Sequence, residues 1–211
     1  MGVGAIIGTG IFVLTGVAAS RFAGPGVIIS FALAGVASAL AALVYAELAS
    51  MVPVAGSAYT YAYAALGELV AWIMGWDLIL EYTVAAGAVA IGWAGYLASF
   101  LEAAGVALPA WMSAPPGAGG AVNLLALPVV VFVAAALTWG TRLSASTNNL
   151  VVLIKLAVVV VFLAVGVSRV NPSLWVPMFP YGPAGVITGA SIVFFAYIGF
   201  DAVSTAAEEV A

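Results

Sequence analysis

Gly4-Ala5-Ile6-Ile7-Gly8-Thr9-Gly10-Ile11-Phe12 sets three glycines into an uncharged, apolar run near the start of the chain. An α-helix rises 1.5 Å per residue, so a bilayer core of roughly 30 Å takes about 20 apolar residues to cross. Residues 1–20 supply one such length without a charge. Inside it the backbone must be satisfied without water, and each glycine weakens the helix, so the run is expected to open readily. Opened backbone at membrane depth persists only where it is buried in protein or lines a cavity, which points to a binding site. Gly4-x-x-x-Gly8 is also a small-residue helix contact, so close packing is the competing reading, and this segment alone leaves both open.

The rest of the 211 residues supports a membrane setting: 66% are hydrophobic and 6% charged, against about 45–50% and about 25% in an ordinary soluble domain. Four Lys+Arg against eight Asp+Glu give a net charge of −4, too few cations for the basic stripe that nucleic acid requires, so no nucleic-acid partner is expected. Histidine and cysteine are both absent. That removes the commonest general base, the thiolate nucleophile and the usual zinc ligands, and no metal site or cofactor is expected.

With the few charges as punctuation, one transmembrane domain of six spans emerges, at about 1–20, 24–46, 69–101, 122–141, 145–167 and 185–207. Pro53, Gly56 and the alternating Tyr59, Tyr61 and Tyr63 make 47–68 a partly interfacial connection, the tyrosines reading as interface anchors. Pro115-Pro116 and Gly119-Gly120 mark a loop, and a proline- and aromatic-rich stretch, 171–183, precedes the sixth span. Continuous apolar runs exclude a β-barrel, whose strands alternate over about ten residues. Residues 1–20 lack the basic start of a signal peptide and are read as a true span.

The sixth span repeats the feature of the first: Phe194-Phe195-Ala196-Tyr197-Ile198-Gly199-Phe200-Asp201 holds a glycine and an aspartate inside an apolar run. Two interrupted helices five spans apart are the mark of an inverted-repeat transporter. Opened helix N-termini present N–H groups to a carboxylate, and freed carbonyls accept from an amine, which suits a zwitterionic amino acid.

Five ordered stretches resemble the amino acid–polyamine–organocation (APC) superfamily, most closely its bacterial cationic-amino-acid-transporter branch. They are 4–12; Tyr45-Ala46-Glu47-Leu48 with Pro53-Val54-Ala55-Gly56-Ser57-Ala58-Tyr59; Gly67-Glu68 with Gly75-Trp76-Asp77-Leu78-Ile79-Leu80-Glu81-Tyr82; 148–155; and 194–209. The resemblance implies an all-α integral membrane fold, a leucine-transporter-type inverted-repeat helical bundle. The chain would supply its first repeat (helices 1–5) plus helix 6, as an N-terminal fragment of a 12-helix transporter. It implies that backbone at Ile7, Gly8, Thr9 and Gly10 holds the substrate carboxylate, that carbonyls of Phe195, Ala196 and Ile198 hold the amine, and that the Phe195 ring closes over the substrate.

Lys155 lies 12 residues from Leu143 and 14 from Arg169, out of easy reach of either membrane face. A lysine at a span centre costs about 2.5–3.5 kcal/mol and turns to the bundle interior. The resemblance places it where sodium-coupled relatives hold sodium, against the opened part of helix one, which implies sodium-independent transport. Asp201, six residues after Phe195, is the expected proton carrier, since a bare carboxylate inside a span is costly. Lys155, Asp201 and Phe195 are thus the coupling and gating candidates. Glu47, Glu68 and Glu102 fall at span ends as boundary charges, Asp77 and Glu81 share one face of span three, and Glu208-Glu209 closes span six. Arg21 and Arg169 against Arg142 put the N-terminus outside by the positive-inside rule, whereas the resemblance implies the reverse.

The expectation is a secondary amino acid permease of the plasma membrane, proton-coupled and working by alternating access, and not an enzyme. An exchanger or a polyamine or organic-cation transporter is the alternative. A non-transporting subunit and an intramembrane aspartyl protease using Asp77 and Asp201 are more remote, the latter because the Gly-x-Gly-Asp pattern is not met. The amino acid carried, symport against exchange, and oligomeric state are not encoded in these motifs.

Overall fold

A computed structural model of the chain describes residues 6–8, 10–114, 120, 122–138, 144–199 and 201, with side chains described for all of these except 137 and 144–148. Among the described residues the secondary structure is helical, without a strand. Helix α1 (10–23) is irregular: wide π turns at Gly10–Leu14 and Ala19–Ala23 flank one α turn, Thr15–Ala18. A tight turn, Gly24–Gly26, leads to α2 (Val27–Met51), followed by α3 (Ser57–Leu66), α4 (Glu68–Ala103), the short α5 (Ala110–Ser113), α6 (Ala126–Thr138), α7 (Ser144–Val167) and α8 (Gly182–Val193). A 3-10 turn, Phe194–Tyr197, continues α8.

Three helical runs among the described residues are long and apolar enough to cross a membrane: Gly10–Met51, Glu68–Ala103 and Asn149–Val167. The first would be about 63 Å long if straight, roughly twice a bilayer core, and it is a hairpin. Gly24 takes φ 59° and ψ −145° at the end of α1, and Pro25 follows. Packing against α8 fixes the direction of each leg. Gly10 lies against Ala196 and Phe22 against Gly185, so α1 runs antiparallel to α8. Ser30 meets Val186 and Gly35 meets Tyr197, so α2 runs parallel to it.

The two legs occupy the expected first and second spans, α4 the third and α7 the fifth. Shorter apolar helices, Ala126–Ala136 and Gly182–Tyr197, occupy the expected fourth and sixth; the remaining parts of those two spans, at 139–141, 200 and 202–207, lie outside the described residues, as do residues 1–5 of the first. The stretch 47–68, expected as a connection, contains α3. It is entered through Gly56 (φ 152°) and Ser57 (φ 51°) and left through Gly67 (φ 89°), so left-handed backbone bounds it on both sides.

Two compact units divide the chain, residues 1–78 with 146–211, and residues 79–145. In the second, Ala90 and Ala94 of α4 pack on Ala126, with Leu125 and Val129 at the margin. In the first, Ala18, Ala34 and Val193 form a core flanked by Val27, Phe31, Ile192, Phe194 and Tyr197. Lipid is as apolar as leucine, so helices there associate where small residues let backbones approach. Accordingly Ser30, Ala34 and Ser38, four apart, are the buried residues of α2. The Ser30 hydroxyl donates to the Val186 carbonyl at 2.8 Å. A Cβ at Gly189 would stand 2.7 Å from that hydroxyl oxygen and 2.9 Å from the Ala23 Cβ, and one at Gly185 would collide with the Phe22 carbonyl.

Candidate functional site

In the glycine run of the first span, Ile7 and Gly8 form a bend, and Gly10 starts a π turn of the kind that recurs at functional sites. The Gly8 carbonyl accepts from the N–H groups of Ile11 at 3.1 Å and Phe12 at 3.3 Å. One turn on, the Thr15 hydroxyl donates to the Ile11 carbonyl at 2.7 Å, a back-bond that bends helices. Thr9 and residues 4 and 5 lie outside the described residues.

Two glycines of this run do different work. A Cβ at Gly10 would overlap the Ala196 Cα and stand 2.8 Å from the Ala196 N and Cβ, so Gly10 lets α1 touch the backbone of the 3-10 turn. At Gly8 a Cβ would meet nothing within 4 Å among the described residues. Close packing therefore explains Gly10, and no described residue explains Gly8 in the same way.

The second opening follows that contact directly. After the 3-10 turn, Ile198 leaves helical geometry (φ −58°, ψ 136°) and Gly199 takes φ 116°, which a residue with a Cβ rarely adopts. The Ile198 N–H still reaches the Phe195 carbonyl, at 3.3 Å. Tyr197 pins the turn to α2: its hydroxyl donates to the Phe31 carbonyl at 3.0 Å, and the two rings lie 6.2 Å apart, tilted by 59°. Tyr197→Phe keeps the ring contact and removes one part-buried hydrogen bond, so a loss of about 1 kcal/mol is expected. Denaturation of the purified protein, monitored by tryptophan fluorescence, checks it.

Of the residues expected at the site, Gly10 and Ala196 are thus in contact. Ile7 and Gly8 precede that contact; Phe195 and Ile198, both half-buried, flank it. Asp201 lies just past the second opening and is buried, 6% exposed. Lys155 sits half-buried near the middle of α7. Asp77 is exposed on α4. Sequence reasoning overlooked Ser30, the Tyr197 hydroxyl and the Gly185-x-x-x-Gly189 pair, although that pair has the same small-residue spacing as Gly4-x-x-x-Gly8.

The family model for "Amino acid permease" matches residues 1–211, the whole chain. The chain belongs to the amino acid permease family. This family lies within the APC superfamily, and its members are transport proteins rather than enzymes. The fold class accords with it, an all-α integral membrane protein of leucine-transporter type. The branched-chain amino acid permease BcaP of Bacillus subtilis (strain 168) is 54% identical over 213 residues, covering 99% of this chain and 46% of that protein. The methylthioribose transporter of the same organism is 49% identical over 212 residues, covering 100% and 46%. The vacuolar cationic amino acid transporter 4 of Arabidopsis thaliana is 40% identical over 218 residues, covering 100% and 36%. The chain spans less than half the length of these curated relatives.

Proposed function

We propose that this permease is a secondary active transporter that carries an amino acid across the plasma membrane by alternating access, as a multi-pass protein. The observation that carries the reading is the meeting of two interrupted segments at Gly10 and Ala196, with no described residue within 4 Å of a Cβ built at Gly8. Backbone N–H groups where α1 begins, around Ile7, Gly8, Thr9 and Gly10, bind the substrate carboxylate, because the first turn of a helix leaves its donors unpaired and carries positive dipole charge. Carbonyls of Phe195, Ala196 and Ile198 bind the amine, and the Phe195 ring closes the site. The side chain of the substrate is left to other contacts. That accords with relatives named for branched-chain and cationic amino acids and for methylthioribose.

Asp201 carries the proton that couples transport, and Lys155 fills the position of a sodium ion. Uptake rates are therefore expected to be equal with sodium or choline as the external cation; a strict sodium requirement removes the role given to Lys155. Uptake of labelled isoleucine, arginine and methylthioribose into proteoliposomes holding the full-length protein, with and without an inward proton gradient, tests the whole reading. Proton-stimulated uptake of an amino acid supports it. Uptake of methylthioribose alone replaces the substrate, and no uptake by folded protein overturns transport.

A further inference from the structure

The 3-10 turn Phe194–Tyr197 has little support of its own. Hydrogen bonds in such a turn close over three residues with poor geometry, and beyond it Ile198 (ψ 136°) and Gly199 (φ 116°) depart from the helix, so no further helical turn braces it. Two neighbouring helices hold it instead. On one side Gly10 of α1 lies against Ala196. On the other, the Tyr197 hydroxyl donates to the Phe31 carbonyl of α2 at 3.0 Å. Helix α2 makes room for that second contact. Gly35 follows Phe31 by one turn, and a Cβ there would stand 3.0 Å from the Tyr197 hydroxyl oxygen and 3.4 Å from its ring carbon Cζ. Glycine inside a helix is destabilising; here it leaves the space that the hydroxyl needs.

We infer that Tyr197 is a positioning residue for the substrate: its bond to α2, admitted by Gly35, fixes the turn so that the carbonyls of Phe195, Ala196 and Ile198 stay where they receive the substrate amine. This rests on the amine-binding role proposed above for those carbonyls. Without the bond the turn leaves its binding position for part of the time, and the apparent affinity falls in proportion. One net hydrogen bond carries a factor of about five, which bounds the effect.

Tyr197→Phe keeps the ring and removes the bond. Substrate affinity is expected to fall about fivefold, and the uptake KM to rise by the same factor with Vmax little changed. Gly35→Ala attacks the same bond from α2, because the hydroxyl must shift to admit the methyl, so a comparable loss is expected. In the double variant no hydroxyl is left to crowd, and Gly35→Ala should add little to Tyr197→Phe. Ser30→Ala is the control. It removes another hydroxyl-to-carbonyl bond, 2.8 Å to Val186, nine residues before Phe195, and should lower the melting temperature without changing affinity. The experiment is binding of labelled isoleucine and labelled arginine to purified full-length wild type and the four variants, with uptake kinetics and melting temperatures alongside. An affinity loss shared by Tyr197→Phe and Gly35→Ala, and absent from Ser30→Ala, supports the inference. Wild-type affinity in Tyr197→Phe overturns it whatever the melt, and so does an equal loss in Ser30→Ala, which would make the effect a general loosening; the proposed amine site stands in both cases. If wild type binds neither amino acid, that site and this inference fall together.

Discussion

Gly10→Ala is expected to cut uptake at least tenfold and to lower the melting temperature of the full-length protein. The added Cβ would overlap the Ala196 Cα and stand 2.8 Å from its N and Cβ. Those atoms belong mainly to backbone, so no rotamer change relieves the clash, and α1 must move away from the 3-10 turn. Overpacking of this kind costs about 1–3 kcal/mol, and the displaced elements are the two that form the proposed site. Ala196→Gly in the same background removes one of the crowded atoms and leaves Cα and N, so it should restore stability only in part. Gly8→Ala is the contrasting variant. Its Cβ meets nothing among the described residues, so melting should stay near wild type while the KM for substrate rises, because the methyl enters the proposed carboxylate site. Thermal melts and uptake kinetics on the three variants decide it; a Gly10→Ala protein that melts and transports like wild type refutes the packing role.

Asp201→Asn should abolish accumulation driven by an inward proton gradient and leave substrate exchange partly intact. The amide keeps the size and hydrogen bonding of a protonated carboxyl but cannot release a proton, so a cycle that returns the empty carrier stalls. Exchange, in which both half-cycles run loaded, needs no such release. Burial of the aspartate just beyond Gly199 supports the assignment. Accumulation by the asparagine variant at the wild-type level would sink it. Loss of exchange and accumulation together, with a normal melt, would instead make Asp201 a substrate contact.

Both interrupted segments were legible because glycine in an apolar span is a local signal, visible without knowing its neighbours. The division of labour between Gly8 and Gly10 was not, since it depends on Ala196, which lies 186 residues beyond Gly10 in the chain. Helix α2 is apolar on all sides, so no amphipathic pattern marks its inner face. What marks it is residue size, through Ser30, Ala34 and Ser38, and a serine in a hydrophobic helix gives no hint of a carbonyl on another helix. Helix α3 was hidden for a different reason. Tyr59, Tyr61 and Tyr63 alternate, which masks helical periodicity, yet Tyr61 is buried while Tyr59 and Tyr63 are exposed and stack on each other at 6.4 Å, as residues four apart on a helix can. The spacing of Lys155 from both ends of its span was readable directly.

The Ser30 bond to Val186 joins residues 156 apart, and the Tyr197 bond to Phe31 joins residues 166 apart. At ribosomal rates of about 5–20 residues per second, roughly 8–30 s separate synthesis of the hairpin from synthesis of its partner. During that interval α1 and α2 have been made but the helix that fills their groove has not, and the Ser30 hydroxyl has no Val186 to bond. The nascent hairpin is thus a client in waiting. Its exposure to quality-control proteases should be greatest in that window and should end abruptly once Gly185 and Gly189 arrive to let α8 seat.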